Sequence, residues 1–271
     1  MTTSPARHDP GTGQLLVEAA GAVAGVTFNN PGKRNALSSE MRAALPGLLE
    51  ALQADREVRV VVVTGAGDKA FASGADISEF ADRRTSPAAR AEYDRVSAVL
   101  SRSWHGLDKP LIAMIRGFCL GGGLFTALQA DFRVASDDSQ FGVPAARLGV
   151  GPGFDGVTAL IDLVGPAWTS EILFSARRFS AAEALQMGLV NRVVPAASLR
   201  DDVMGLAQGI AQNAPLTVLA CKAAIREAGR APDRRDMGRV EAMIEACFRS
   251  DDYREGQRAF TQRRPPAFTG R

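Results

Sequence analysis

The sequence is short of the side chains that usually build metal centres and disulfide frameworks. Among its 271 residues, His8 and His105 are the only imidazoles, and Cys119, Cys221 and Cys247 the only thiols. No C-x-x-C pair occurs, so a metal site built on His or Cys is not expected and no metal ligand is assigned. Three thiols, odd in number and widely spaced in apolar stretches, read as reduced core residues of a cytoplasmic protein. An excess of one charge is also missing. With 32 Lys+Arg against 30 Asp+Glu the net charge is +2, which argues against nucleic acid or an anionic membrane surface as a partner. No apolar run reaches the length of a bilayer span, and the opening MTTSPARHDPGTGQ has no apolar stretch after a basic start. Neither a membrane segment nor a signal peptide is therefore expected. Linkers, low-complexity tracts and regular repeats are absent as well. The remainder, 46% hydrophobic and 23% charged, is ordinary for a globular chain of one extended domain or one domain with a helical appendage.

Against this plain background one stretch stands out, residues 109–136 (KPLIAMIRGFCLGGGLFTALQADFRVAS). An apolar strand-like run, 111–115, breaks at Gly117 and reaches Gly121, Gly122 and Gly123, followed by a helix-compatible run to Ala130. A buried strand that enters a Gly-rich turn and then a helix aims free backbone N–H groups at one point. An oxygen that becomes an anion during reaction suits such a point. Tight packing of a helix on a sheet selects the same glycines, and both readings stay open.

Elsewhere the pattern is α/β. Residues 14–18 and 23–29 read as a hairpin around Gly21. Ser38 or Ser39 caps a helix whose Met41, Leu45, Leu48, Leu49 and Leu52 share a face, with Pro46 expected to kink or shorten it. The run 58–63 is apolar but for Arg59, as in a strand buried on both faces. A small-residue loop, 69–77 (KAFASGADI), follows, then a helix from Ser86-Pro87 to about Leu107. The segment 141–156 (FGVPAARLGVGPGFDG) has the punctuation of a functional loop. Helices near 156–175 and 181–187 and a strand at 189–194 precede an all-helical end. There Leu199, Val203, Leu206 and Ile210 form one stripe, and Met237, Val240, Ile244 and Cys247 another. The division is a core, 14–197, and a helical region, 198–271. Residues 1–13 are expected to fray. Gly65-Ala66-Gly67-Asp68-Lys69-Ala70 fits a dinucleotide fingerprint, but neither an immediate helix nor an acidic strand end about 20 residues on follows it, so the oxidoreductase reading is rejected.

Several motifs together resemble the crotonase (enoyl-CoA hydratase/isomerase) superfamily: NPGKRNAL at 30–37, KAFASGADI, the Gly117–Gly123 stretch, Phe141-Gly142-x-Pro144, ALQMGLVNRVV at 184–194 and EGQRAFTQRRPPAF at 255–268. The resemblance covers nearly the whole chain from about Glu18. It implies a spiral of ββα units with a C-terminal helical trimerisation region, assembled as a homotrimer or hexamer, and a role as lyase or isomerase in fatty acid metabolism. It further implies an acyl-CoA substrate with no cofactor beyond the coenzyme A of the thioester. Carried over by position, the two N–H donors of an oxyanion hole for the enolate fall on Ala75 and Gly122. Gly122 would add the positive end of a helix. Adenine and pantetheine contacts fall on backbone at Ala75, Asp76, Ile77 and Ser78. Lys69, with Lys33 or Arg34, would meet the nucleotide phosphates, although any single Lys reads first as a solvated surface charge.

The departures shape the expected chemistry. Hydratases that the chain resembles use two glutamates; here their places hold Phe125 and Ala145, which line the acyl site without acid/base capacity. Water addition to a simple enoyl-CoA is therefore not the expected reaction. Asp155, in Gly153-Phe154-Asp155-Gly156, is a candidate proton-transfer group if shielded by Phe125, Phe141 and Phe154, or else a helix cap. His105 reads as a helix C-terminal residue, and Arg147 as a substrate-carboxylate ligand or a surface ion pair. Three outcomes stand: an enolate-forming enzyme of divergent chemistry, a non-catalytic acyl-CoA-binding scaffold, or a C–C or thioester-cleaving CoA hydrolase.

Overall fold

Alternate side chains of the apolar runs go to two different cores. In strand β3 (Val60–Gly65), Val61 and Val63 enter one cluster while Val60 and Val62 enter the other. Strand β5 (Leu111–Ile115) divides the same way: Leu111, Ala113 and Ile115 to one side, Ile112 and Met114 to the other. Successive side chains of a strand point to opposite faces, so a run apolar at every position marks a strand covered on both. Each such buried Val or Ile contributes roughly 1.5–3 kcal/mol. The computed structural model describes residues 8–76 and 86–271.

The larger sheet has six strands in the order β1-β2-β3-β5-β7-β10. Its first pair is the hairpin of β1 (Leu15–Ala20) and β2 (Val23–Phe28), antiparallel, with Leu15 opposite Phe28. The other neighbours, through β7 (Phe132–Ser136) to β10 (Arg192–Val194), are parallel. A smaller sheet runs β4-β6-β8-β9, from β4 (Ala70–Ala72), β6 (Phe118–Leu120), β8 (Gln140–Gly142) and the two-residue β9 (Phe179–Ser180). The chain visits the large sheet, then the small one, then a helix, and repeats: β3, β4 and a helix; β5, β6 and a helix; β7, β8 and a helix. This is the spiral of ββα units expected from the motifs. Residues 70–72, expected in a loop, are instead the β4 strand, paired parallel to β6. They follow β3 directly, so the Gly65–Ala70 segment leads to a strand rather than to a nucleotide-binding helix.

Helix α1 (Ser39–Ala54) is capped by Ser38, whose hydroxyl accepts from the Met41 N–H at 3.2 Å. Pro46 does not shorten it, since Leu45, Leu48, Leu49 and Leu52 anchor the helix in the main core on either side. Helix α2 (Pro87–His105), capped by Ser86, packs on α1. The six-residue α3 (Gly122–Ala127) ends earlier than the expected Ala130. Helix α4 (Phe154–Ser175) is long and apolar enough to cross a membrane by length and composition, contrary to the sequence expectation. A non-helical Gly165 (φ 75°, ψ 169°) ahead of Pro166 interrupts it, leaving two pieces, each shorter than the ~20 residues a crossing needs. Helix α5 (Ala181–Gln186) opens on a capping box of Ser180 and Glu183. The strand expected at 189–194 is confined to β10.

Helix α6 (Leu199–Ala211) covers the second face of the large sheet, where Leu199, Val203, Ala207 and Ala211 join Val60, Val62, Ile112 and Met114 of β3 and β5. Helices α7 (Pro215–Ala228), α8 (Met237–Arg249) and α9 (Asp251–Gln262) follow. Of the second expected stripe, Val240 is buried, while Met237, Ile244 and the neighbouring Phe248 stay exposed in the single chain. Part of the expected fraying segment is tethered: His8 meets Asp55 at 3.0 Å and the Thr12 hydroxyl donates to Glu40.

Candidate active site

The glycines of β6–α3 are fixed by close approach. A Cβ added at Gly123 would lie 2.3 Å from the Ala72 carbonyl oxygen, so the helix seats directly on β4. Gly121, at φ 52°, turns the chain from strand to helix, and its N–H donates to the Gly142 carbonyl at 2.8 Å. Packing thus explains Gly123 and the turn explains Gly121; neither explains Gly122.

Gly122 faces Ala75. A Cβ at Gly122 would stand 3.3 Å from the Ala75 nitrogen, and one at Gly74 would stand 3.6 Å from the Gly122 nitrogen. Residues 74–76 run beside Leu37 in a single parallel bridge. The Leu37 N–H donates to the Gly74 carbonyl at 2.8 Å and its carbonyl accepts from the Asp76 N–H at 3.3 Å. That pattern turns the Ala75 N–H to the other side, towards Gly122. Among the described residues no hydrogen bond takes up the N–H of Ala75 or of Gly122. Two unpaired amides side by side are costly unless a guest oxygen or water completes them. Helix α3, at six residues, carries only a short dipole, so the two aimed amides rather than the helix supply the field.

The loop that holds this corner entered the sequence analysis only as part of the NPGKRNAL motif. Asn35, 1% exposed and at φ 55°, donates from its amide to the carbonyls of Ala66 (2.9 Å) and Ala70 (2.7 Å). Its side-chain oxygen accepts from the Asn30 N–H at 3.1 Å. Asn tolerates the left-handed backbone and mimics a turn; the signal was Asn within NPGKRNAL, one residue before the apolar Ala36-Leu37.

The remaining predicted residues are placed unevenly. Lys33 pairs with the nearly buried Asp76 carboxylate at 2.6 Å, and the Asp76 N–H is already taken by Leu37. Arg34 and Lys69 are exposed. Ile77 and Ser78 lie outside the described residues. Phe125, one turn after Gly122, and Ala145, in the 3-10 helix Pro144–Leu148, both pack against the main core as apolar walls. Arg147 is exposed and, among the described residues, has no ion-pair partner. His105 is the last residue of α2, its Nδ1 at 2.8 Å from the Ser101 carbonyl.

Asp155 needs two corrections. The cap of α4 is Gly153, not Asp155, which lies in the first turn and bonds none of the helix N–H groups. Nor is it shielded: Asp155 is exposed, Phe154 is 83% exposed and Phe141 lies in the core beneath. It does stand next to Phe125, because a Cβ on the adjacent Gly156 would touch the Phe125 ring at 2.8 Å. The Asp155 backbone thus lies one residue from the aromatic wall of the corner, while its side chain is exposed.

The order of these parts along the chain and their placement agree with the comparisons. The family model described as enoyl-CoA hydratase/isomerase matches residues 18–271. The chain belongs to the enoyl-CoA hydratase/isomerase family, the crotonase superfamily. It is 35% identical over 250 residues to the short-chain-enoyl-CoA hydratase of Clostridium acetobutylicum, covering 92% of this chain and 95% of that one. It is 33% identical to the carnitinyl-CoA dehydratase of Escherichia coli O157:H7, over 93% of this chain and 96% of the relative. Among solved structures, an enoyl-CoA hydratase/carnithine racemase from Magnetospirillum magneticum superposes with a TM-score of 0.89 at 35% identity, over 96% of this chain and 97% of its own.

The Gly122 corner is separate from a cavity at the helical end of the chain. A space of about 640 Å³ opens among α7, α8, α9 and the C-terminal segment, lined by Cys221, Ile244, Cys247, Phe248 and Phe260 among others. None of its lining residues belongs to the corner. Cys221, expected in the core, is exposed there, and only Cys119 is fully buried, its thiol pushed well up by burial.

Proposed function

We propose that this member of the enoyl-CoA hydratase/isomerase family acts on an acyl-CoA thioester whose carbonyl oxygen sits between the N–H groups of Ala75 and Gly122. The observation that carries the reading is the pair of adjacent amides that have no partner among the described residues. As a C–H bond next to the thioester breaks, its electron pair moves into the C–C bond and charge gathers on the oxygen. Two preset donors stabilise that enolate more than the neutral carbonyl. The names of the relatives, hydratases and a dehydratase of CoA esters, support the substrate class.

The chemistry is divergent from water addition. Phe125 and Ala145 offer no proton and no grip on a nucleophilic water, so crotonyl-CoA hydration is slow. Asp155, next in the chain to the Gly156 that packs on the Phe125 ring, takes the proton. In deuterium oxide, a bound acyl-CoA exchanges the hydrogen next to its thioester, and Asp155→Asn slows that exchange by ~10²–10⁴. Undiminished exchange in a folded Asn variant would remove Asp155 from the reaction. The exposure of Asp155 favours one alternative, an acyl-CoA-binding scaffold without catalysis. Calorimetric binding of acetyl-CoA with no exchange at all would select it.

A further inference from the structure

One glycine beside the corner has no conformational reason to be glycine. Gly156 lies in the first turn of α4 and its φ is not positive, so alanine would suit its backbone better. The nearby Gly151 and Gly153 meet nothing within 4 Å of an added Cβ. At Gly156 such a Cβ would stand 2.8, 2.9 and 3.0 Å from three atoms of the Phe125 ring. The ring therefore rests on the bare α-carbon of Gly156, in a seat that any side chain there would fill.

The ring also reaches the oxyanion corner. Phe125 follows Gly122 by three residues in α3, so the two share a helix face and stand about 4.5 Å apart along its axis. Helical side chains lean towards the N-terminus, which carries the ring back over the turn of Gly122. Helix α3 is held in that pose, the Phe125 N–H donating to the Gly121 carbonyl at 3.1 Å. Across the corner stands Pro144, whose Cδ would lie 3.9 Å from a Cβ added at Gly121. Beside it, the Ala145 carbonyl accepts from the N–H groups of Gly149 and Val150, the latter at 3.1 Å, and this fixes the turn that carries Ala145. None of Phe125, Pro144, Ala145 and Gly156 has a hydrogen-bonding side chain, so a polar group pressed against them would go unsatisfied.

We infer that Phe125 is a specificity-determining residue that limits the acyl group to a short apolar chain, and that Gly156 is the positioning residue that seats its ring. The inference rests on the acyl-CoA reading above and adds to it the class of acyl group. A thioester carbonyl held between the Ala75 and Gly122 amides sends its acyl chain along the face of α3. An extended chain advances ~1.2 Å per bond, so about four carbons cover one helical turn before the ring, backed by Gly156, blocks the way.

The test is calorimetric binding of acetyl-, butyryl-, hexanoyl- and octanoyl-CoA to the full chain and its variants. Each methylene buried on the wall tightens binding about fourfold, so butyryl-CoA should bind about fifteenfold more tightly than acetyl-CoA, with no gain beyond it. Phe125→Ala vacates the space of the ring, and the gain should continue to hexanoyl-CoA by about tenfold. Phe125→Leu, which keeps an apolar contact with the core, should extend the profile part-way and serves if the Ala variant fails to fold. Gly156→Ala pushes the ring into the corner and should erase the advantage of butyryl-CoA. The same change made together with Phe125→Ala should leave the extended profile as it was, because the new methyl then meets no ring. Equal weakening of all four esters by Gly156→Ala would reduce Gly156 to a structural residue and overturn its assigned role. Affinity that climbs through octanoyl-CoA in the unaltered chain, or a profile that no variant changes, would overturn the inference while leaving the acyl-CoA reading intact. Failure of the unaltered chain to bind any of the four esters would instead overturn that reading and this inference with it.

Discussion

The Gly122 corner and the helical end of the chain are built from opposite materials. The corner presents backbone: two amides, aimed by a parallel bridge at Leu37 and by a glycine whose bare backbone lies close against Ala75. The helical end is joined to the core by side chains. Lys222, 7% exposed, donates to the Lys109 carbonyl at 2.6 Å and meets Asp131 at 2.7 Å. Arg226 donates to the carbonyls of His105 and Leu107, both at 2.9 Å. Arg59 reaches across to the Phe268 carbonyl at 2.8 Å. Burial lowers the pKa of Lys222 although Asp131 opposes that shift, so desolvation outweighs attraction there. Function in the corner should thus be sensitive to backbone shape, and cohesion of the helical end to single charged side chains.

The largest expected effect is at the corner. Gly122→Ala puts a methyl 3.3 Å from the Ala75 nitrogen, in the space an oxygen needs. Deuterium exchange into a bound acyl-CoA should fall by ~10²–10³, with the thermal midpoint almost unmoved because Ala suits a helix better than Gly. A folded Gly122→Ala variant with full exchange would break the contrast. Next comes the buried pair. Lys222→Met leaves Asp131 without its cation, though still accepting from the Leu111 N–H at 2.8 Å. Because Asp131 is partly exposed, the cost should sit at the low end for a broken buried pair, about 3 kcal/mol. Calorimetry should show the midpoint lowered by roughly 6–12 °C, with exchange below that temperature unaltered. A midpoint within a degree of the parent would show that the helical end is held by its apolar contacts alone.

The smallest effect concerns the last residues. The Arg264 guanidinium and the Ala267 N–H hold the Glu255 carboxyl down to about 2 from an unfolded value of 4.5. A carboxylate depressed in the fold favours the docked state fully above its unfolded value and loses that contribution as pH falls through about 2. Carboxyl NMR should therefore find Glu255 titrating near the bottom of the accessible range. A midpoint near 4.5 would show the terminal segment undocked in solution.

Local chemistry made much of the fold legible. The unbroken apolar runs at Val60–Val63 and Leu111–Ile115 read as buried strands, and Ser38 and Ser86 marked helix starts by their capping hydroxyls. Ordered motifs from Glu18 to the end announced the family that the whole-chain match bears out. The short β4 was missed because Ala70-Phe71-Ala72 carries no periodic pattern of its own; its partner β6 makes it a strand. Asn35 was missed because its two carbonyl partners sit more than thirty residues away.

By itself, then, the sequence determined which segments are apolar on which faces, where helices begin, and where a run of glycines joins a strand to a helix. Those are properties of neighbours along the chain. Only the tertiary structure decided that the Ala75 and Gly122 amides face the same gap, that Asp155 looks into solvent, and that the Phe125 ring rests on Gly156. Each of these joins residues far apart in sequence, and their distances are set by how the two sheets stack, which no local pattern encodes.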